Sequence, residues 1–147
     1  MRKTIENVPV VSMSDVYRTR GGMKTLYRLL KEREKKINIS HWRMPTWAEH
    51  CRFVRSRPYK GWFILSAAKK NFGAIYLSKQ NEIGLFLFKK ERKKGYGSVA
   101  LGMLLKRFPH VKRLLANISP VNHDSIHFFE QKGFRHIQNT YELWRSV

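Results

Sequence analysis

Residues 82–108 constrain the fold most. Glu82-Ile83-Gly84-Leu85-Phe86-Leu87-Phe88 reads as a β-strand, Lys89 to Lys94 as a basic turn, and Val99 to Phe108 as an apolar-faced helix. Between turn and helix stands Gly95-Tyr96-Gly97-Ser98. A strand that passes through a glycine-bearing turn into a helix directs backbone N–H groups and a helix N-terminus at one point. Such a point favours a bound phosphate. A P-loop does not fit, because no Gly-Lys-Ser/Thr follows the turn, and a dinucleotide fingerprint lacks its third glycine.

Upstream, Val8-Pro9-Val10-Val11-Ser12-Met13 reads as an edge strand, since Pro9 is poorly tolerated in a central one. Ser14 and Asp15 offer N-caps. Val16 to Lys36 is helical in pattern but interrupted at Gly21-Gly22, which suggests two pieces or a bend. Leu26, Leu29 and Leu30 give the later piece an apolar face, surrounded by Lys24, Arg28, Lys31 and Arg33. A basic surround of this kind is ordinarily a solvated face, and here it could border a polyanion. Thr46 and Glu49 fit a capping box for a helix reaching about Arg57 and stopping at Pro58. Its apolar face would carry Trp47, Cys51 and Val54, with His50 close to that face as a packing residue before a catalytic one.

Three short apolar runs follow, Trp62–Ala67, Gly73–Ser78 and Ile83–Phe88, separated by turn-forming Lys69-Lys70-Asn71 and Lys79-Gln80-Asn81. This spacing predicts an antiparallel meander. The helix from Gly97 would bury Val99, Leu101, Leu104 and Leu105 and end near Pro109. Val111–Ile118 is the next strand, and Asn122 can cap a helix through Phe129 to Lys132, with Gly133 as its C′ residue. Phe134–Ile137 and Tyr141–Trp144 would be closing strands.

The 147 residues suit one domain spanning 1–147. A formal charge of +20, from 30 Lys and Arg against 10 Asp and Glu, speaks of anionic partners, or else of solubility, rather than of fold. Cys51 is the only cysteine, so neither a disulfide within the chain nor a cysteine metal cluster is expected. No metal site is anticipated. The first residues lack the apolar run of a signal peptide and no segment is long enough to cross a bilayer, which points to a soluble, cytoplasmic protein.

The order of elements resembles the GCN5-related N-acetyltransferase (GNAT) superfamily, and two stretches carry the likeness. Arg92-Lys93-Lys94-Gly95-Tyr96-Gly97 is similar to that family's (Gln/Arg)-x-x-Gly-x-(Gly/Ala) acyl-CoA turn, with Lys93 where many members have another glycine. Asn122-His123-Asp124-Ser125, followed by Phe129 to Phe134, is similar to its Asn-x-x-Ser … aromatic-x-x-x-Gly-Phe motif. The resemblance implies an α+β fold with a central, mostly antiparallel, seven-stranded sheet flanked by about four helices.

It also implies acetyl-CoA as co-substrate. Backbone N–H groups of Arg92, Lys93, Lys94, Gly95, Tyr96, Gly97 and Ser98 would hold the pyrophosphate, with Lys89, Lys90, Lys93 and Lys94 adding charge. The strand Leu85–Phe88 would splay from its neighbour and pair with the pantetheine arm, and Leu87 or Phe88 would supply an oxyanion-type N–H. Asn122, with Ser125 and Phe129 nearby, would line the other side. Phe129 stands where the family often has an acidic tyrosine, and phenylalanine donates no proton. Tyr141 or a water would substitute as acid, and Glu82, alone or through water, would be the base. His41, Trp42, Trp47 and His50 belong to the segment that helps form the acceptor pocket.

For the acceptor, the charge favours an amine-modified base on nucleic acid. The alternatives are a small amine, such as an amino-sugar nucleotide, and a non-catalytic nucleic-acid-binding module. The protein would act as a monomer or homodimer, away from membranes.

Overall fold

In a computed structural model, residues 9–33 and 43–146 are described. The chain enters the sheet at β1 (Val11–Asp15). Asp15 caps a 3-10 turn over Val16–Arg18 by accepting the Tyr17 N–H at 2.8 Å. α1 (Gly22–Glu32) begins after Gly21, whose φ of 72° is left-handed. The interruption expected at Gly21-Gly22 is therefore a real break between two helical pieces. α2 (Trp47–Arg55) starts with the expected capping box, Thr46 accepting from the Glu49 N–H while Glu49 reaches back to the Thr46 N–H. Both helices pack on β2 (Tyr59–Ala67) and β3 (Lys70–Ser78), which continue into β4 (Glu82–Leu87).

α3 (Tyr96–Arg107) follows the basic turn, then β5 (Leu115–Ala116) and α4 (His123–Gln131). The five strands lie in the order β1-β2-β3-β4-β5, antiparallel up to β4 and parallel between β4 and β5.

Alternation along the strands divides the core into two layers. Phe63, Leu65, Ile75, Leu77 and Ile83 face α3, where Ala100, Leu101 and Leu104 complete the layer. Trp62, Ile64, Ala74 and Phe88 face the other way, onto Leu26 and Leu29 of α1 and Val54 of α2. α3 turns inward through 100, 101 and 104, so Leu101 and Leu104 are buried as expected. Val99 and Leu105 flank that stripe and are exposed. On α2 the buried residues are His50, Cys51 and Val54, and Trp47 lies at the surface edge.

The sheet has five strands among the described residues, not seven. β5 is two residues long where eight were expected, so it offers almost no ladder onto which closing strands could pair. Residues 134–146 consequently run without strand pairing, with Tyr141, Leu143 and Trp144 exposed. The end of α4 follows expectation. Gly133 adopts φ 90°, its N–H reaches Glu130 O, and the Phe134 N–H reaches Phe129 O, closing a Schellman motif with Phe129 and Phe134 in edge contact.

Candidate active site

The site is built around β4. The Phe88 N–H donates to Phe72 O at 3.0 Å, while the Leu115 N–H donates to Asn81 O at 2.9 Å. Strand backbone groups alternate in direction, so the amides of Gly84 and Phe86 turn toward β3 and those of Ile83, Leu85 and Leu87 toward β5. Pairing with β5 ends at Ile83↔Ala116. Beyond that point Leu85 and Leu87 present their amides to an open edge, and the two strands part as the sequence suggested. Phe88 cannot share this role, because its amide is already held by Phe72.

At the far end of this edge lies the basic turn. After a 3-10 turn (Lys89–Glu91), Lys93 takes the left-handed region at φ 61° and Gly95 at φ 82°. A lysine there carries strain that a glycine would not. Gly95 caps α3 without a side-chain bond, and the Val99 N–H is the first amide of α3 to bond back, to Gly95 O. The amides of Tyr96, Gly97 and Ser98 are thus left to point outward from the helix N-terminus. Tyr96 is anchored by stacking on Phe72, with ring centroids 4.3 Å apart.

A residue missed from the sequence holds the turn in place. Glu91 is buried and pairs with Lys70 at 3.2 Å and Lys94 at 3.1 Å. Hydrogen bonds from Lys94 and Lys70 draw its carboxyl below the usual range. Part of the Lys94 charge expected for phosphates is therefore spent on Glu91, whereas Lys89, Lys90 and Lys93 stand exposed. A single acid within the run 89–94 was the signal. Arg92 lies over the strand end, its Nε donating to Leu87 O at 3.4 Å. On the opposite side Asn122 Oδ1 caps α4 by accepting the Ser125 N–H at 3.3 Å. Phe129 is packing, in edge contact with Phe128 and Phe134.

On the α1/α2 face of the sheet lies a cavity of about 240 Å³. Leu26 and Leu29 of α1, Phe53 of α2, and Trp62, Tyr76 and Phe86 of the sheet are among the residues of its wall. Tyr76 and Tyr59 stack at 3.9 Å, nearly parallel. Gly84 makes this possible, since a Cβ there would run into the Tyr76 ring. Glu82 shares the face of Gly84 and Phe86 by strand alternation and is half-buried, and its charge bears on the Tyr59 and Tyr76 phenols. Burial, more than that charge, pushes both phenols up.

Of the expected pocket residues, His41 and Trp42 lie outside the described residues. His50 lines the cavity, whereas Trp47 does not and instead meets Tyr27 edge-on and the His50 ring at a tilt. Tyr141 is 89% exposed, on the segment beyond α4. The sequence reading did not single out Tyr76, Phe86 or Arg33 for this site; their apolar or basic neighbours made them look like ordinary strand and helix residues.

His50 is a packing residue with a titratable ring. Its Nε2 bonds Met23 O at 2.9 Å, which makes that nitrogen the donor in the neutral ring, and burial lowers its pKa from 6.5. The native state then takes up a proton less readily than the unfolded chain. His50 therefore contributes stability above pH 6.5 that is lost as pH falls below it. Melting temperature should drop between pH 7 and pH 5, and less steeply in His50→Gln, which can donate to Met23 O but does not titrate. Parallel slopes for the two proteins would show that His50 carries none of the acid sensitivity.

The profile of the Acetyltransferase (GNAT) domain family matches residues 21–135. No curated protein sequence matches the chain. Among solved structures, a domain from Methanocaldococcus jannaschii is similar at 19% identity, covering 92% of this chain and 94% of that one, with a TM-score of 0.78. An acetyltransferase from Thermus thermophilus is similar at 18% identity, over 88% and 90%, with a TM-score of 0.72. A ribosomal-protein α-N-acetyltransferase in complex with coenzyme A is similar at 12% identity, over 86% and 81%, with a TM-score of 0.69.

Proposed function

The chain belongs to the GNAT family of acetyltransferases, and from that premise we propose that it moves the acetyl group of acetyl-CoA to a primary amine on an anionic acceptor. Acetyl-CoA is the family's co-substrate, and when bound it supplies an activated thioester. The observation that carries the reading is the double duty of β4. Phe86 lines the cavity with its side chain, while the next residue, Leu87, offers its amide to the open edge. Acceptor and thioester would thus meet across one strand.

Three outward amides at Tyr96, Gly97 and Ser98, with the charges of Lys89, Lys90, Arg92 and Lys93, suit a pyrophosphate. The open edge at Leu85 and Leu87 suits an extended arm with its own amides, and Asn122 and Ser125 border the other side. Leu87 N–H is the donor that would polarise the thioester carbonyl. The new C–N bond forms as the C–S bond breaks, the amine proton passing to a base and the sulfur leaving as thiolate. A thiol pKa near 8.5 makes that departure modest in cost, so a site with Phe129 in place of an acid can still turn over.

An alkylamine with a pKa of about 10.4 costs about 4 kcal/mol to deprotonate near pH 7.4. A surplus of positive charge around the site lowers that cost by disfavouring a further cation. Glu82, on the cavity face of β4, is the base, directly or through water. The net charge of +20 favours an amine-bearing base on nucleic acid as acceptor. The cavity volume of about 240 Å³ favours a second reading, a small nucleotide-linked amine taken alone. The 147 residues are read as one catalytic domain of a cytoplasmic protein. Among the described residues no helix is long and apolar enough to cross a membrane.

Saturating acetyl-CoA should raise the melting temperature by several degrees, since about 100 Kd of ligand adds about 2.7 kcal/mol. Glu82→Gln should leave that shift intact and lower kcat at least about a hundredfold, with an altered pH–rate profile. A wild-type protein indifferent to acetyl-CoA would refute the transferase reading. A pH–rate profile identical in Glu82→Gln would remove only the base.

A further inference from the structure

The cavity on the α1/α2 face has a selectivity that acetyl transfer alone does not require. Its wall is aromatic, from Phe53, Tyr59, Trp62, Tyr76 and Phe86, and its cation is placed inside that wall. Arg33 closes α1 as its C-cap residue and lays its guanidinium over the Phe86 ring, 4.3 Å from the centroid. Burial disfavours its charge, and the titratable groups of the described residues that bear on it are the Tyr76 and Tyr59 phenols, which burial keeps neutral.

The cavity's one lining carboxylate is already committed. Glu49 receives both guanidinium nitrogens of Arg43, at 3.3 and 3.1 Å, and accepts the Thr46 N–H as part of the capping box. The Arg43 and Thr46 bonds hold its pKa down to about 2, so it stays ionised and paired. A polyamine or other multiply cationic acceptor would meet a guanidinium inside the wall, with Glu82 on the cavity face of β4 as the carboxylate left to receive a cation. A flat ring carrying one anion meets aromatic surface for its body and a planar fork for its charge.

We infer that this cavity selects an amine attached to a flat aromatic body bearing one anionic group, carboxylate or phosphate, which Arg33 holds. The inference rests on the reading of the cavity as the acceptor site. A volume of about 240 Å³ suits one such unit, so a nucleic acid would present it as a single everted residue. Arg33 also sets the acceptor's orientation. With the anion held beside Phe86, where the Arg33 guanidinium lies, the amine is left to reach along the cavity face of β4 toward Glu82.

The test uses matched pairs with the full chain. Phenylalanine is compared with phenethylamine, and 5-aminomethyl-2′-deoxyuridine 5′-monophosphate with its nucleoside, and spermidine serves as the polycation. Acetylation is read as kcat/KM, and binding is read by calorimetry with coenzyme A present. In at least one pair the anionic member should be favoured tenfold or more in binding. Which pair responds identifies the anion, and an oligonucleotide carrying the same base shows whether a strand is accepted in place of the free nucleotide. Arg33→Met should erase the preference, and Arg33→Lys should retain part of it. Phe86→Leu, which keeps the charge and removes the ring beneath it, should weaken both members of the pair. Equal binding within both pairs, tightest binding of spermidine, or a preference that survives in Arg33→Met would overturn the inference. The acetyl-CoA melting shift reports separately on the transferase reading, so the two can fail independently.

Discussion

Leu87→Pro should lower kcat by 10²–10³-fold while leaving acetyl-CoA affinity within a few-fold of wild type. Proline removes one atom of consequence, the amide hydrogen. At most strand positions that loss would break a ladder, but the Leu87 amide points to the side where β5 has already departed. Phe86 before it is in extended conformation, as a residue preceding proline prefers. The fold should therefore survive. A donor aimed at a developing oxyanion is worth about 2.7–4 kcal/mol, which is the stated loss in rate.

The side chain is the confounding factor, because Leu87 packs against the α3-side core. Leu87→Ala supplies the control, losing the same packing and keeping the N–H. If the alanine and proline variants lose kcat equally, the amide has no catalytic part. If only proline loses it, the donor is identified. Phe88 is not an alternative donor, since its N–H is engaged by Phe72 O.

What could be read from the sequence, and what could not, follows from the range of the interactions concerned. The capping box at Thr46, the break at Gly21-Gly22, the turn at 92–98 and the Gly133 ending are set by residues within a few positions of one another, and each formed as expected. Leu101 and Leu104 were correctly turned inward, yet Val99 and Leu105 were not. An apolar residue list does not fix the stripe until the sheet beneath is placed. β5 failed for a related reason. Val111–Ile118 has strand composition, but only Leu115 and Ala116 meet β4 before the strands diverge. Strands that diverge after two residues deny pairing to the rest of the segment, whatever its strand character.

The cavity was least legible because its lining comes from five elements, α1, α2, β2, β3 and β4. Arg33 looked like one more charge on a solvated helix, and nothing local says that its guanidinium lies on Phe86, far along the chain. Gly84 read as an ordinary strand glycine, although its missing side chain is what lets the Tyr76 ring lie across β4. Glu91 shows the opposite case. A lone acid amid five basic neighbours was visible in the sequence, and its partners Lys70 and Lys94 bring β3 and the turn together.

Ser98→Glu should push the free and the liganded protein in opposite directions. Ser98 is exposed in the first turn of α3, and its amide is one of three that point outward there. Without ligand, a carboxylate at a helix N-terminus favours the helix by about 0.3–1 kcal/mol. It also relieves crowding in a chain of +20 formal charge. The melting temperature should rise by about 1–4 °C. With acetyl-CoA, the same carboxylate lies beside a pyrophosphate. Two unit charges about 4 Å apart at an effective dielectric near 20 repel by about 4 kcal/mol. Screening and the nearby lysines reduce this, leaving roughly 2–3 kcal/mol, or about a hundredfold in Kd. Acetyl-CoA should then give almost no further stabilisation at concentrations that shift wild type by several degrees. Ser98→Gln, similar in size and uncharged, should behave like wild type in both states. A Ser98→Glu protein that is stabilised when free and still binds acetyl-CoA normally would move the phosphate site away from the α3 N-terminus. That result would leave the basic turn without the anion that its glycines, outward amides and lysines are arranged to meet.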